Sequence, residues 1–253
     1  MPHLHPSRNP DLWLPTVQPR GPVVVDLNSR VARGMIGYWL ATPVASMRNL
    51  MNNGSDLLPL GGGGIDVGPG GTEATSAVGV GWYATAEAAQ KPTSAVSFFW
   101  QGVVDTSTNI GGSPPIFACV HNNSDSSPFV SWGIRRAAAA DAQVVWNHTS
   151  GFASYSVTSI LTVGERLSLI GTIAMGGAVQ LYKNGTVVGA GSTAQAGSIA
   201  YGATAQIRLG PHILQSSHSG CSTEVAAAWN RVLSLEEIAA MSAQPYSMLI
   251  PAG

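Results

Sequence analysis

The sequence predicts an all-β fold, a sandwich or barrel of short strands, on three observations. Charged residues make up 10% of the 253, against roughly 25% in typical domains, while 30 glycines and 16 prolines punctuate the chain. β-branched residues and turn formers dominate what remains. Apolar runs return at about 8–12-residue spacing with turn signals between them, the rhythm of a sandwich or barrel. Finally, "VQLYKNGTVVG" (179–189) is two apolar runs joined by Asn184-Gly185. A two-residue loop between right-twisting strands needs positive φ at both central positions, and Asn and Gly tolerate that best.

The elements follow in chain order. Residues 1–34 carry Pro2, Pro6, Pro10, Pro15, Pro19 and Pro22, a spacing that precludes helix and sheet interior. They read as an extended arm. Within it Val23, Val24, Val25, Asp26 and Leu27 form a candidate strand able to extend a neighbour's sheet edge, and so a candidate assembly contact. The body, 35–253, opens with "GMIGYWL" (34–40) and passes through glycine-rich segments with weak strands. "GGGGIDVGPGG" (61–71) reads as a flexible loop. It lacks the Lys-Ser/Thr of a phosphate loop and does not join a strand to a helix.

Two strongly apolar strands come next, "SAVSFFWQGVV" (94–104) and "PPIFACVH" (114–121). "PFVSWGIRR" and "AQVVWNHTS" form a hairpin across 137–141, and "ERLSLIGTIAM" (165–175) leads into the Asn-Gly hairpin. "TAQIRLGPHI" and "STEVAAAWNRVL" supply two more strands. The one well-signalled helix is in "VLSLEEIAAM". Ser234 caps it, Glu237 reaches back, Leu233 and Ile238 stand at the staple positions, and Pro245 follows.

Net charge is −1, and ten Arg and two Lys are scattered, so no nucleic-acid footprint is present. So few ionic groups suit either a Ser/Thr/Asn-surfaced soluble domain or a subunit buried in an assembly. "MPHLHPSRNP" does not read as a secretory signal, and no apolar run approaches the ~18 residues of a membrane span. The expected site of synthesis is the cytosol. Cys119 and Cys221 are then expected as buried free thiols rather than a disulfide, and the sequons at Asn53, Asn122, Asn147 and Asn184 as chance.

The series "SFFWQGVV", "GERLSLIGTI", "VQLYKNGTVVG", "AQIRLG" and "EVAAAWNRVLSLEEIAAM" resembles the concanavalin A-like lectin/glucanase superfamily in its laminin G-like branch. The resemblance covers about residues 94–244 and is most specific in its last third. It implies a jelly-roll sandwich of two antiparallel sheets with a short C-terminal helix. "GPVVVDLNSRVARGMIGYW" is similar, more loosely, to the start of such domains in tailed-bacteriophage structural proteins. The function implied is a non-enzymatic virion component made in the bacterial host cytoplasm. Capsid decoration or cement comes first, anchored by the arm to other virion proteins or to copies of itself. A tail adhesin binding host glycans is the alternative, and a secreted glycan-processing enzyme is a distant third.

Candidate chemistry is sparse. Glucanases of the superfamily space carboxylates along one strand, which sets an acid and a nucleophile about a glycosidic bond. None of the thirteen acids here has another two positions away, and Glu236-Glu237 belongs to the helix cap. No enzymatic activity and no cofactor are expected. His218-x-x-Cys221 lacks the second ligand pair that zinc needs, and His3 and His5 belong to the terminus. Asn122, Asn123 and Asp125 offer calcium one carboxylate where about 6–8 oxygens are wanted, so no metal is expected. Trp132, Trp146, Asn147 and His148 form a candidate glycan set, aromatic faces with amides beside them, unless the tryptophans belong to the core.

Overall fold

The computed structural model describes residues 18–19, 22–43, 46–51, 53–61, 63–68, 71–75, 81–106, 113–121, 130–149, 151–210 and 219–252. Strands are numbered in chain order. The larger sheet runs β15 (Thr186–Thr193), β14 (Ala178–Lys183), β13 (Arg166–Ala174), β8 (Ala95–Val104), β17 (Cys221–Trp229), β2 (Met35–Thr42), β3 (Ser46–Asn49). A hairpin of β5 (Ile65–Gly68) and β6 (Gly71–Ala74) joins it at β17 through Thr223 and Ala74. The 61–71 segment expected as a flexible loop therefore contains strand. Its strand β5 pairs with β6, which reaches β17 through Ala74, and glycine composition could not reveal that.

The second sheet runs β12 (Gly151–Val157), β11 (Asp141–His148), β10 (Val130–Ala138), β9 (Pro115–Val120), β16 (Gln206–Leu209), β7 (Gly81–Thr85), β4 (Leu58–Leu60). Pairing is antiparallel throughout both sheets. The fold is an all-β sandwich.

Period-two alternation decides what lies between the sheets. From β8 it is Val96, Phe98, Trp100 and Val104; from β10 Trp132 and Ile134; from β11 Ala142, Val144 and Trp146; from β17 Ala226 and Ala228. Phe98 stacks on Trp132, and Phe117 meets both Trp132 and Trp39 edge-on.

A second apolar layer covers the outer face of the larger sheet. Tyr38, Phe99, Ile170, Val225 and Trp229 pack there under the helix α1 (Leu235–Ala243) and the segment that follows it. The helix has the expected start. Ser234 accepts from the Glu237 amide, Glu237 accepts from Ser234 N at 2.8 Å, and Leu233 and Ile238 are buried. β1 (Val23–Val25) pairs antiparallel with β18 (Leu249–Pro251) in the same layer, with Val23 and Val25 buried.

The Asn-Gly hairpin forms as expected. Asn184 and Gly185 have φ of 50° and 81°, and the Asn184 amide oxygen accepts from Ser168 N at 2.8 Å. At the side of the sandwich where β12 approaches β15, the Tyr155 hydroxyl accepts from Gly191 N at 2.8 Å and donates to Val188 O at 3.2 Å. One phenol thus ties the two sheet edges together, which limits the tendency of free edges to pair elsewhere.

Candidate functional site

The expected glycan set does not assemble. Trp132 and Trp146 are cross-strand partners, 0% and 2% exposed, and face the inter-sheet core. Alternation along β11 puts Asn147 on the opposite face from Trp146, with His148 on the Trp146 side; both Asn147 and His148 are buried. The tryptophans are core because their strands bury one face completely, and a sugar has no route to their rings. Of the arm residues, Val23–Val25 form the expected strand, paired within the chain. Val24 and Leu27 are exposed, and Asp26 caps the turn by accepting from Asn28 N. The candidate calcium ligands Asn122, Asn123 and Asp125, together with His218, His3 and His5, lie outside the described residues.

The outer face of β10–β12 holds a different set. Cross-strand register aligns Arg135 with Gln143 and Ser156, Gly133 with Val145 and Ser154, and Asn147 with Phe152. Phe152 is 42% exposed and Ser154 and Ser156 are exposed beside it. The Arg135 guanidinium carbon stands 5.9 Å from the centre of the Phe152 ring, and Arg135 Nε donates to Ser113 O. Burial pulls the Arg135 pKa down. Gln143 Nε2 donates to Ser156 Oγ at 2.7 Å. At the far end, Asn147 Nδ2 lies 3.1 Å from His121 Nδ1, which is itself 3.2 Å from Ala200 O. An apolar ring with amides, hydroxyls and one guanidinium around it can hold a polar, ring-shaped ligand.

Sequence reasoning passes over "FASYSV", and with it Phe152. The signal is nonetheless present: Phe152, Ser154 and Ser156 alternate with Ala153, Tyr155 and Val157, and the second three pack toward the core.

Acids distant in sequence do meet on the larger sheet. Ser222 Oγ lies 2.6 Å from Glu73 Oε2 and 3.2 Å from Asp105 Oδ1. Glu224, fully buried, accepts from Arg166 at 2.6 and 2.7 Å, from Gln101 at 2.9 Å and from Tyr246 at 3.1 Å. Among the described residues no group of three or more His, Cys, Asp or Glu is arranged to hold a metal ion. Cys119 and Cys221 are buried and form no disulfide, and burial raises both thiols, Cys221 to about 12. No described helix is long and apolar enough to cross a membrane.

The sequence matches no family model and no curated protein. Its structure is similar to Trypanosoma rangeli sialidase bound to 2,3-difluorosialic acid, with a TM-score of 0.62 and 13% identity over 84% of this chain and 33% of that one. The binding domain of Paraclostridial Mosquitocidal Protein 1 is matched with a TM-score of 0.61 and 13% identity over 84% of this chain and 52% of that one. Botulinum neurotoxin type C, whose cell entry depends on two ganglioside molecules, is matched with a TM-score of 0.60 and 11% identity over 83% and 51%. The chain thus spans a third to a half of these proteins. At such identities the likeness is one of β-sandwich fold.

Proposed function

We propose that this chain is a non-catalytic recognition module, a jelly-roll of the concanavalin A-like kind, that binds a glycan on the outer face of β10–β12. One observation carries the reading: the exposed Phe152 ring, set in cross-strand register with Asn147 and flanked by Arg135, Gln143, Ser154 and Ser156. Aromatic faces stack on pyranose rings, and the surrounding polar groups fix hydroxyls. The sialic acid analogue bound by one structural neighbour and the gangliosides used by another are compatible with it. A non-catalytic role is favoured by the three buried acids among the described residues: Glu224 is paired with Arg166, Glu237 with the helix cap, and Glu73 is enclosed against Ser222. In biological terms this is the tail-adhesin reading of a phage virion protein.

A second reading, capsid decoration, rests on the N-terminal resemblance to tailed-phage proteins and on the exposed Val24 and Leu27 of the arm. Since β1 already pairs with β18, contact with another virion protein would use its other edge.

A bacterial-polysaccharide array with the intact chain tests the first reading. Binding that falls about tenfold or more in Phe152→Ala, with unchanged thermal stability, is the expected result. No binding to any glycan, together with high copy number in purified phage heads, would replace it with the second.

A further inference from the structure

Of the three buried acids among the described residues, Glu73 alone has an oxygen without a partner. It is 5% exposed; Oε2 meets Ser222 Oγ at 2.6 Å, and Oε1 is buried without a partner. The surrounding charges do not repair this. From β17, Glu224 is already paired with Arg166. From β5, Asp66 is the cross-strand partner of Glu73, exposed, and accepts from Val67 N. Past the end of β8, Asp105 is exposed and shares Ser222. Arg136 acts on Asp105, and its Nη1 is committed to Thr106 O at 2.6 Å and Ser219 O at 2.7 Å. From β2, the Tyr38 hydroxyl donates away, to Pro245 O. No cation bonds Glu73 among the described residues.

A serine hydroxyl has one proton, and here it stands between two carboxyl groups. If both were ionised, one would lose its donor, and the buried one would carry charge with an oxygen unpaired, which is strongly unfavourable. One further proton resolves the arrangement. We infer that Glu73 is held as the neutral acid and donates to Ser222, which donates in turn to the exposed Asp105 carboxylate, so that loss of the Glu73 proton unlatches the β5–β6 hairpin from β17.

The charge then rests where water reaches it, on Asp105, and the buried oxygen left unpaired is only a carbonyl. The latch also bears on Gln18. Gln18 Nε2 donates to Ala41 O at 2.6 Å, while Gln18 Oε1 accepts from Thr72 N on β6. Releasing the hairpin removes one of these two holds on Gln18. Burial raises the pKa of both carboxyls; Arg166 opposes this at Glu73 and Arg136 at Asp105. A proton bound more tightly in the folded state contributes stability that is lost as pH rises through the folded pKa.

Amide hydrogen exchange of residues 65–74 in the full chain tests the latch, after correction for intrinsic rates. Between about pH 4 and pH 8 wild-type protection should be progressively lost, the sign expected where the latched hairpin binds this proton more tightly than the released one. Glu73→Gln should keep the low-pH protection at both ends of that range. The amide mimics the neutral acid by donating to Ser222. The same fall in both proteins, or a Gln variant less protected than wild type at pH 8, overturns the inference. If that variant fails to fold, carboxyl-carbon NMR titration of wild type decides: a Glu73 midpoint above the ordinary ~4.3 supports the latch, and one at or below it refutes it.

Discussion

Arg166 and Glu224 meet in a two-point ion pair on the outer side of the larger sheet, Nε 2.6 Å from Oε1 and Nη2 2.7 Å from Oε2. The carboxylate is fully buried and the guanidinium about a third exposed, and Gln101 and Tyr246 add donors from β8 and the C-terminal segment. Glu224→Ala would strand three donors at once. It should destabilise by about 3–5 kcal/mol in urea unfolding, the range for breaking one side of a buried pair. A loss under about 1 kcal/mol would mean the pair behaves like a surface contact.

Glu237 links the helix start to the strand before it. Its carboxylate accepts from Arg231 Nη1 at 2.7 Å and Nη2 at 2.9 Å, and from Ser234 N at 2.8 Å. The Arg231 hydrogen bonds, with the Ser234 contacts, hold its pKa at about 2 against burial, which acts the other way. A depressed acid contributes stability above its unfolded pKa and loses it as pH falls through the folded value. Between pH ~4.5 and ~2, wild type should therefore lose on the order of 2 kcal/mol more than Glu237→Gln. Parallel acid-melting curves for the two proteins would contradict this.

Near the end of β10, Arg136 Nη1 donates to Ser219 O at 2.7 Å and Thr106 O at 2.6 Å, and Nε to Ala139 O at 3.1 Å. Gly220, with φ of 60°, leaves the space this needs. A Cβ there would lie 2.7 Å from Arg136 Nη1 and 2.8 Å from Thr106 O. Gly220→Ala combines left-handed strain with a backbone clash and should lower stability by about 2–4 kcal/mol in thermal unfolding. Gly185→Ala is the contrast: its Cβ would meet Ala239 and Ser242 at an ordinary 3.4 Å, so only the φ penalty of about 1–2 kcal/mol is expected.

Both thiols should react slowly with a thiol reagent in the native protein, since each is buried and hard to ionise. Unfolding without reductant should expose two. Recovering none would mean a disulfide.

Local chemistry was legible in the chain. The Asn184-Gly185 turn and the Ser234/Glu237 cap each depend on residues no more than a few positions apart, so their conformation is set where they stand. The apolar runs of β8 and β10 likewise announced strands. The glycine-rich 61–71 segment was not legible, because its hairpin is ordered by contacts with β17 and Gln18, which lie far from it in the chain.

By itself, then, the sequence determined the all-β class, the hairpin, the helix start and the apolar strands. Only the tertiary structure decided which face of each strand meets the core, and so removed Trp132 and Trp146 from the ligand surface while leaving Phe152 upon it. It alone brought Ser222 to Glu73, 149 positions away, and Glu224 to Arg166, 58 away. The physical reason is range. Turns and caps are settled by neighbouring backbone groups, whereas the pairing of buried charges depends on sheet register, which forms only when strands distant in the chain have met.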